Sequence, residues 1–142
     1  MGPIGLIRPM LKLEIVTPEK KVFDDAVDSV TVPTASGDAG ILPNHAPLIS
    51  ALRPGILSYS NKGTTSQMVV SGGFMEVSNN AVSVLTDTAE TADEINADAA
   101  RAERDVAENQ MREFALAPVE EAEATRERLE SATAKLQLIS GK

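Results

Sequence analysis

Seven of the eight prolines in this 142-residue chain lie between Pro3 and Pro54, and eight of its nine glycines lie between Gly2 and Gly73. After Gly73 the next glycine is Gly141, and Pro118 is the single proline beyond Pro54. Proline removes a backbone donor and glycine opens turn conformations, so both end regular elements. The front of the chain is therefore expected to hold many short elements, and the back long uninterrupted ones. The length suits one domain, or a small domain with an appendage.

The front half reads as strands. Leu11-Lys12-Leu13-Glu14-Ile15-Val16 alternates until Thr17-Pro18 breaks it, and Val27-Asp28-Ser29-Val30-Thr31-Val32 is a β-branched run bounded by Pro33. Ile56–Ser60 and Thr65–Val70 flank Asn61-Lys62-Gly63-Thr64, a hairpin with a short glycine-containing loop. Phe74–Val77 and Ala81–Leu85 flank Ser78-Asn79-Asn80, a second hairpin. Short strands with turns about every ten residues suggest a sandwich or barrel over about residues 10–88.

The back half reads as two helices. Thr91 to Ala117 contains no Gly or Pro and is rich in Ala, Glu and Arg. Thr91 or Asp93 can cap it, and Thr91 with Glu94 fits a capping box. Pro118 ends that run and suits the first turn of a second helix. There Ala122, Thr125, Leu129, Ala132, Leu136 and Ile139 follow spacings of three and four, one narrow heptad-like seam. The first helix offers a poorer stripe of Ile95, Ala99, Ala102 and Val106, with Met111 and Phe114 further on. A large aliphatic side chain contributes about 1.5–3 kcal/mol on full burial. These stripes are mostly Ala, so the hairpin is expected to be marginal alone. Folding on itself, docking on the sandwich and opening onto a partner then have similar free energies, which suits a switch. A fixed, supporting hairpin is the alternative.

Composition narrows the function. Hydrophobic residues at 42% provide a core, but aromatics at 3% make it aliphatic. A net charge of −8 argues against nucleic acid, whose binding needs Lys and Arg to displace counterions. The absence of Cys excludes disulfides, thiolate zinc and cysteine nucleophiles, and a single His excludes a His-rich metal site. No run approaches the roughly 18 apolar residues of a membrane span, and the start is too interrupted for a signal peptide. The expected chain is soluble, held at a membrane only through something else. No phosphate-binding glycine loop occurs. Ser71-Gly72-Gly73 reads as a bulge or a close backbone approach. His45, between Pro43 and Pro47, lacks a nucleophile context and reads as a loop histidine satisfied by local backbone. Neither catalytic residues nor metal ligands are expected.

The most distinctive stretch is Ser36-Gly37-Asp38-Ala39-Gly40-Ile41-Leu42-Pro43-Asn44-His45-Ala46-Pro47-Leu48. It resembles the epsilon subunit family of F-type ATP synthases (delta in mitochondria), which commonly reads SGELGILPGHAPL there. Leu13–Pro18, Leu52-Arg53-Pro54-Gly55, Val70–Val77 and Val84–Glu90 agree in order and spacing. The resemblance covers about residues 11–140. It implies an α+β chain with a ten-stranded β-sandwich over 11–89 and an antiparallel two-helix hairpin over 90–142, while the two glycines and two prolines of the first nine residues suggest a flexible extension over 1–10.

The resemblance also implies a role. Such a chain is a non-catalytic central-stalk rotor subunit of a proton-translocating synthase, coupling c-ring rotation to ATP synthesis through the gamma subunit. It would sit peripherally on the cytoplasmic face of the bacterial inner membrane. By position, Asp38 (Glu in most of the family) is the expected polar contact to the c-ring loops, and Thr17, His45 and Ser50 face gamma. Asn44 replaces the usual Gly, so it should tolerate positive φ. Extended along gamma, the hairpin would reach alpha and beta and block ATP hydrolysis. Arg126, Arg128 and Lys135 could then meet an acidic loop of beta, or instead pair with Glu123, Glu127 and Glu130 on their own helix. Some bacterial members bind regulatory ATP through an Ile/Leu-Asp-x-x-Arg-Ala pattern. Asp98 and Arg101 keep part of it with Ala97 in the apolar place, whereas Ile95-Asn96 keeps the apolar residue and loses both charges. An ordinary surface pair is the other reading of Asp98 and Arg101. Two functions from other classes compete: a free-standing ligand-binding β-sandwich with a helical tail, for which Phe23, Tyr59 and Phe74 are few aromatics, and a small hydrolase, for which one His leaves little.

Overall fold

The computed structural model describes residues 10–141, so the extension expected over 1–10 lies, but for its last residue, outside the described residues. Two five-stranded sheets pack face to face. The first holds β1 (Leu11–Val16), β2 (Lys21–Val27), β5 (Leu48–Ala51), β8 (Phe74–Ser78) and β9 (Ala81–Leu85), in the order β2-β1-β9-β8-β5. The second holds β3 (Ser29–Thr34), β4 (Gly37–Ile41), β6 (Gly55–Asn61), β7 (Thr64–Ser71) and β10 (Thr88–Glu90), in the order β10-β7-β6-β3-β4. β1 and β9 run parallel; the other pairs are antiparallel. Two helices follow, α1 (Ala97–Glu113) and α2 (Val119–Ile139). The architecture is thus a ten-stranded sandwich followed by a helical hairpin.

Period-2 alternation builds the core. Leu11, Leu13 and Ile15 of β1, Val82 and Val84 of β9, and Met75 and Val77 of β8 face Val30 and Val32 of β3, Leu57 of β6 and Val70 of β7, all at most 1% exposed. The aromatic contribution is one pair, Phe23 and Tyr59, with ring centroids 4.4 Å apart. Both hairpins turn where expected, and more tightly. β6 and β7 join through Lys62 and Gly63, β8 and β9 through Asn79 and Asn80, and all four residues have positive φ, as two-residue loops of type I′ require.

The run from Val27 to Val32 is not one strand. Val27 ends β2 in the first sheet, and Ser29 opens β3 in the second. Asp28 forms the corner: its N–H donates to Ser60 O at 2.8 Å, and its carboxylate accepts from Lys62 N–H at 2.9 Å. Pro33 does not end the strand either. It lies inside β3, beyond the stretch paired with β6, where its missing N–H costs no ladder bond.

The close approach expected at Ser71-Gly72-Gly73 is present. A Cβ on Gly73 (φ +92°) would fall 1.8 Å from the carbonyl oxygen of Leu85. The bare backbone there lets β8 begin hard against the end of β9. Thr86 completes this corner: its hydroxyl accepts from Ser71 N–H at 3.1 Å, and its own N–H reaches Val16 O at 3.0 Å.

The helices depart from the expected start and faces. Thr91 and Glu94 do interact, Thr91 N–H donating to the Glu94 carboxylate at 2.9 Å, but they close a single 3₁₀ turn at Ala92–Glu94. α1 starts later, with Asn96 as its N-cap accepting from Ala99 N–H at 2.9 Å. Pro118 is the N-cap of α2 and so lies just before its first turn. In α1 the buried residues are Ala100 and Ala107, whereas Ala99, Ala102 and Val106 of the expected stripe are exposed. In α2, Ala122, Thr125 and Ala132 are buried as expected, but Leu129, Leu136 and Ile139 are only half-buried. The second buried line is Ala134 and Leu138, which pack with Val69 of β7, Ile56 of β6 and Ile95. A one-seam reading failed because α2 has two neighbours, α1 and the second sheet.

Candidate functional site

On the second sheet's outer face, α2 packs against β6 and β7. The first sheet's outer face is open, and its register sorts the side chains into rows, since cross-strand partners point to the same side. Val16 pairs Leu85, Leu85 pairs Phe74, and Phe74 pairs Ala51. One apolar row therefore crosses four strands. Leu85 is 50% exposed and Phe74 58%. The next row runs Glu14, Ser83, Glu76 and Ile49, the last 72% exposed. Two shallow hollows share Phe74 and Leu85. One, of about 150 Å³, reaches Ile49 and Glu76; the other, of about 320 Å³, reaches Thr17 and Pro18. Single exposed apolar residues are ordinary; a contiguous row with hollows marks an interaction surface.

Thr17 sits at the end of this row, after β1. Its hydroxyl accepts from Lys20 N–H at 3.3 Å within the tight turn to β2. Ser50 lies on β5, the edge strand of the same sheet, half-buried, its hydroxyl donating to Ala51 O at 3.1 Å. His45 lies at the opposite end of the sheet, in the loop from β4 to β5. Its Nδ1 is 2.7 Å from Ala46 O, and its N–H donates to Leu42 O at 3.2 Å, the local backbone satisfaction expected of it. Asn44 has φ +69°, and it is tied to Asn80 of the β8–β9 turn by its N–H and by its side chain. The fold thus places Thr17 at the end of the apolar row, turns Ser50 to the core side of edge strand β5 opposite buried Met75, and holds His45 at the far end of the same sheet. The apolar row escaped the sequence reading because registers between distant strands leave no mark on local periodicity. The exposed Phe74, breaking alternation beside two glycines, was the one signal available.

Asp38 belongs to the other sheet. On edge strand β4 it pairs with Arg53 at 3.8 Å, at the mouth of a cleft of about 460 Å³ between α2 and the second sheet. The expected cations of α2 have partners. Arg126 pairs with Glu123 at 2.7 Å on its own helix. Arg128 donates to Gln110 of α1 at 2.7 Å and to Thr125 at 3.1 Å. Lys135 pairs with Glu90 of β10 at 3.1 Å, tying hairpin to sandwich. Asp98 and Arg101 pair with each other on the exposed surface of α1. In the alternative register the Asn96 side chain is occupied as the helix cap.

Among the described residues, three groups titrate away from their ordinary values. Hydrogen bonds from Lys21 to the Glu14 and Asp24 carboxylates raise the lysine, and the bond from Lys21 lowers Asp24. Thr91 N–H holds Glu94 below its ordinary 4.5. Among the described residues no cluster of three His, Cys, Asp or Glu is arranged to hold a metal, and no helix is long and apolar enough to cross a membrane.

Residues 10–92 match the family model described as the beta-sandwich domain of the ATP synthase delta/epsilon chain. The chain is 49% identical over 100 residues to the ATP synthase epsilon chain of Desulforamulus reducens, covering 70% of this chain and 76% of that one. It is 51% identical over 98 residues to the epsilon chain of Chloroflexus aggregans, covering 69% of each. Among solved structures, a chain of the Euglena gracilis mitochondrial ATP synthase (OSCP/F1/c-ring) is 25% identical with a TM-score of 0.74, covering 96% of this chain and 85% of that one. A chain of the Tetrahymena thermophila mitochondrial central stalk and c-ring shares the fold at 16% identity and a TM-score of 0.57, covering 92% of this chain and 94% of that one.

Proposed function

The chain belongs to the delta/epsilon family of ATP synthase subunits, and from that premise we propose that it is a central-stalk rotor subunit, passing c-ring rotation to the catalytic head through gamma. One observation carries the reading. The apolar row Val16-Leu85-Phe74-Ala51 is open on the sheet that the hairpin leaves bare. On this reading gamma covers that row with Thr17 at its border, and reaches Ser50 on the sheet's edge strand and His45 at the far end of the sheet. Asp38, on the edge of the other sheet, meets the polar c-ring loops. The subunit makes and breaks no bond; alpha and beta do the chemistry. It is held peripherally at the membrane, on the cytoplasmic face, by the complex.

The hairpin is the second part of the proposal. Its α1–α2 interface is mostly alanine, and its hold on the sandwich is Ala134, Leu138 and the Lys135–Glu90 pair. A docking of that size can be exchanged for another. Released, Arg126, Arg128 and Lys135 would leave their present partners and become available to an acidic loop of beta, blocking hydrolysis. The exposed Asp98–Arg101 pair is the place where regulatory ATP would bind if this member uses it.

The test is ATP hydrolysis by the matching catalytic head, prepared without this subunit and titrated with residues 1–142 or with residues 1–90. Inhibition by the full chain, with binding but no inhibition by the shorter one, assigns the brake to the hairpin. Binding without inhibition by both removes the brake and keeps the rotor reading. Failure of the full chain to bind the gamma-containing head overturns the rotor reading.

A further inference from the structure

The open face of the first sheet carries charge as well as apolar surface, and its charges are not equally satisfied. Glu14 pairs with Lys21 at 2.9 Å; Asp24 pairs with Lys21 at 3.1 Å and with Lys12 at 3.6 Å. These four side chains neutralise one another at the β1–β2 border. Glu76 does not share in this. It stands exposed on β8, between Ser83 and Ile49 in its row and one pleat from Phe74, with no ion pair among the described residues. It also lines the smaller hollow with Ile49, Phe74 and Leu85. A partner that covers Phe74 and Ile49 must cover Glu76 too.

Removing a carboxylate from water without a partner is costly, and a hydrogen-bonded cation offsets that cost. An unpaired carboxylate inside an apolar docking face therefore says what the other side carries. We propose that Glu76 is the specificity-determining charge of this face. Its partner presents a Lys or Arg to Glu76 and an aliphatic or aromatic side chain to the hollow beside Phe74. This deepens the proposed function and rests on it, the occupant being gamma. The same carboxylate would reject surfaces that bring an acid or only apolar groups, and in the free subunit it keeps an apolar row from pairing with copies of itself.

The experiment measures binding of the full chain to the isolated gamma subunit by calorimetry at increasing salt. The parent chain is expected to weaken as salt rises. Glu76→Gln should bind about tenfold more weakly with a flatter salt dependence, and Glu76→Lys about a hundredfold more weakly. Glu108→Gln removes the same unit of charge from the exposed side of α1, and should leave affinity and salt dependence unchanged. Thermal unfolding of each variant must match the parent, as expected for exposed positions. If Glu76→Gln binds like the parent with the same salt dependence, the cation is overturned while the rotor reading stands. If the parent chain does not bind gamma, both fall.

Discussion

In the sandwich, the residues that fill the centre are Leu11, Leu13, Ile15, Ile41 and Leu57, each at most 1% exposed. In the hairpin, the residues between the helices are Ala100, Ala107, Ala122, Thr125 and Ala132. Each large aliphatic residue contributes about 1.5–3 kcal/mol on burial and each alanine methyl about 0.8. Per position the sandwich is held several times more strongly. On the proposed reading, one half of the molecule is built to stay as it is, and the other to be separable from it. Small interfaces that open without global unfolding are where conformational change is found.

This contrast can be broken most directly with two deletions of the same kind. Ile15→Ala should cost the sandwich about 2–5 kcal/mol, read as a loss of global stability in urea. Leu138→Ala should cost about 2 kcal/mol or less, because the site is at the edge of a small cluster. Its loss should be read as faster hydrogen exchange in α2, with the sandwich unfolding as before. A single transition lowered equally by both would mean that the hairpin is part of one cooperative unit.

The next effect is smaller. Lys135→Met removes the ion pair from hairpin to sheet edge, whose side chains are 21% and 32% exposed. At such exposure, solvent screening holds the loss to roughly 1 kcal/mol at most. It should appear as greater protease sensitivity of the helices at low salt, and vanish at high salt. An effect that persists at high salt would make the pair a packing element instead.

The smallest effect sharpens the border between the two regions. Glu94 is held below 4.5 by Thr91, so its contribution is present above that pH and is lost as the pH falls through its lower folded value. Glu94→Gln should lower hairpin protection at neutral pH and match the parent in strong acid. Equal protection at neutral pH would show that the 3₁₀ turn does not help to seat the helices.

Much of this was legible residue by residue. The positions of both hairpins followed from Asn61–Thr64 and Ser78–Asn80, though not their two-residue length; the close approach at Gly72-Gly73 was one of two readings, and the positive φ of Asn44 followed from its standing where the resembled family has Gly. Local residues determine local conformations there. Strands β2, β4, β5 and β10 were not legible from pattern: β4 reads Gly-Asp-Ala-Gly-Ile, and β10 is three residues long. Their strand conformation is imposed by neighbours that already present free ladder positions. Of the candidate site, Thr17, Ser50 and His45 came from the resemblance, whereas Leu85, Phe74, Ile49 and Glu76 became a surface only when the registers were known.

What the residues alone determined was the division of the chain and the strength of its parts. Punctuation by Gly and Pro ends with the strands, and alanine in place of leucine leaves the helices little apolar surface to bury on each other. What only the tertiary structure decided was direction. Val27 and Ser29 belong to different sheets because Asp28 is bonded across the corner, and α2 faces two ways because the second sheet lies beneath it. The apolar row exists because four strands meet in one register. Local energies set which elements form, but the side a residue faces depends on its neighbours in space, and most of those lie far away along the chain.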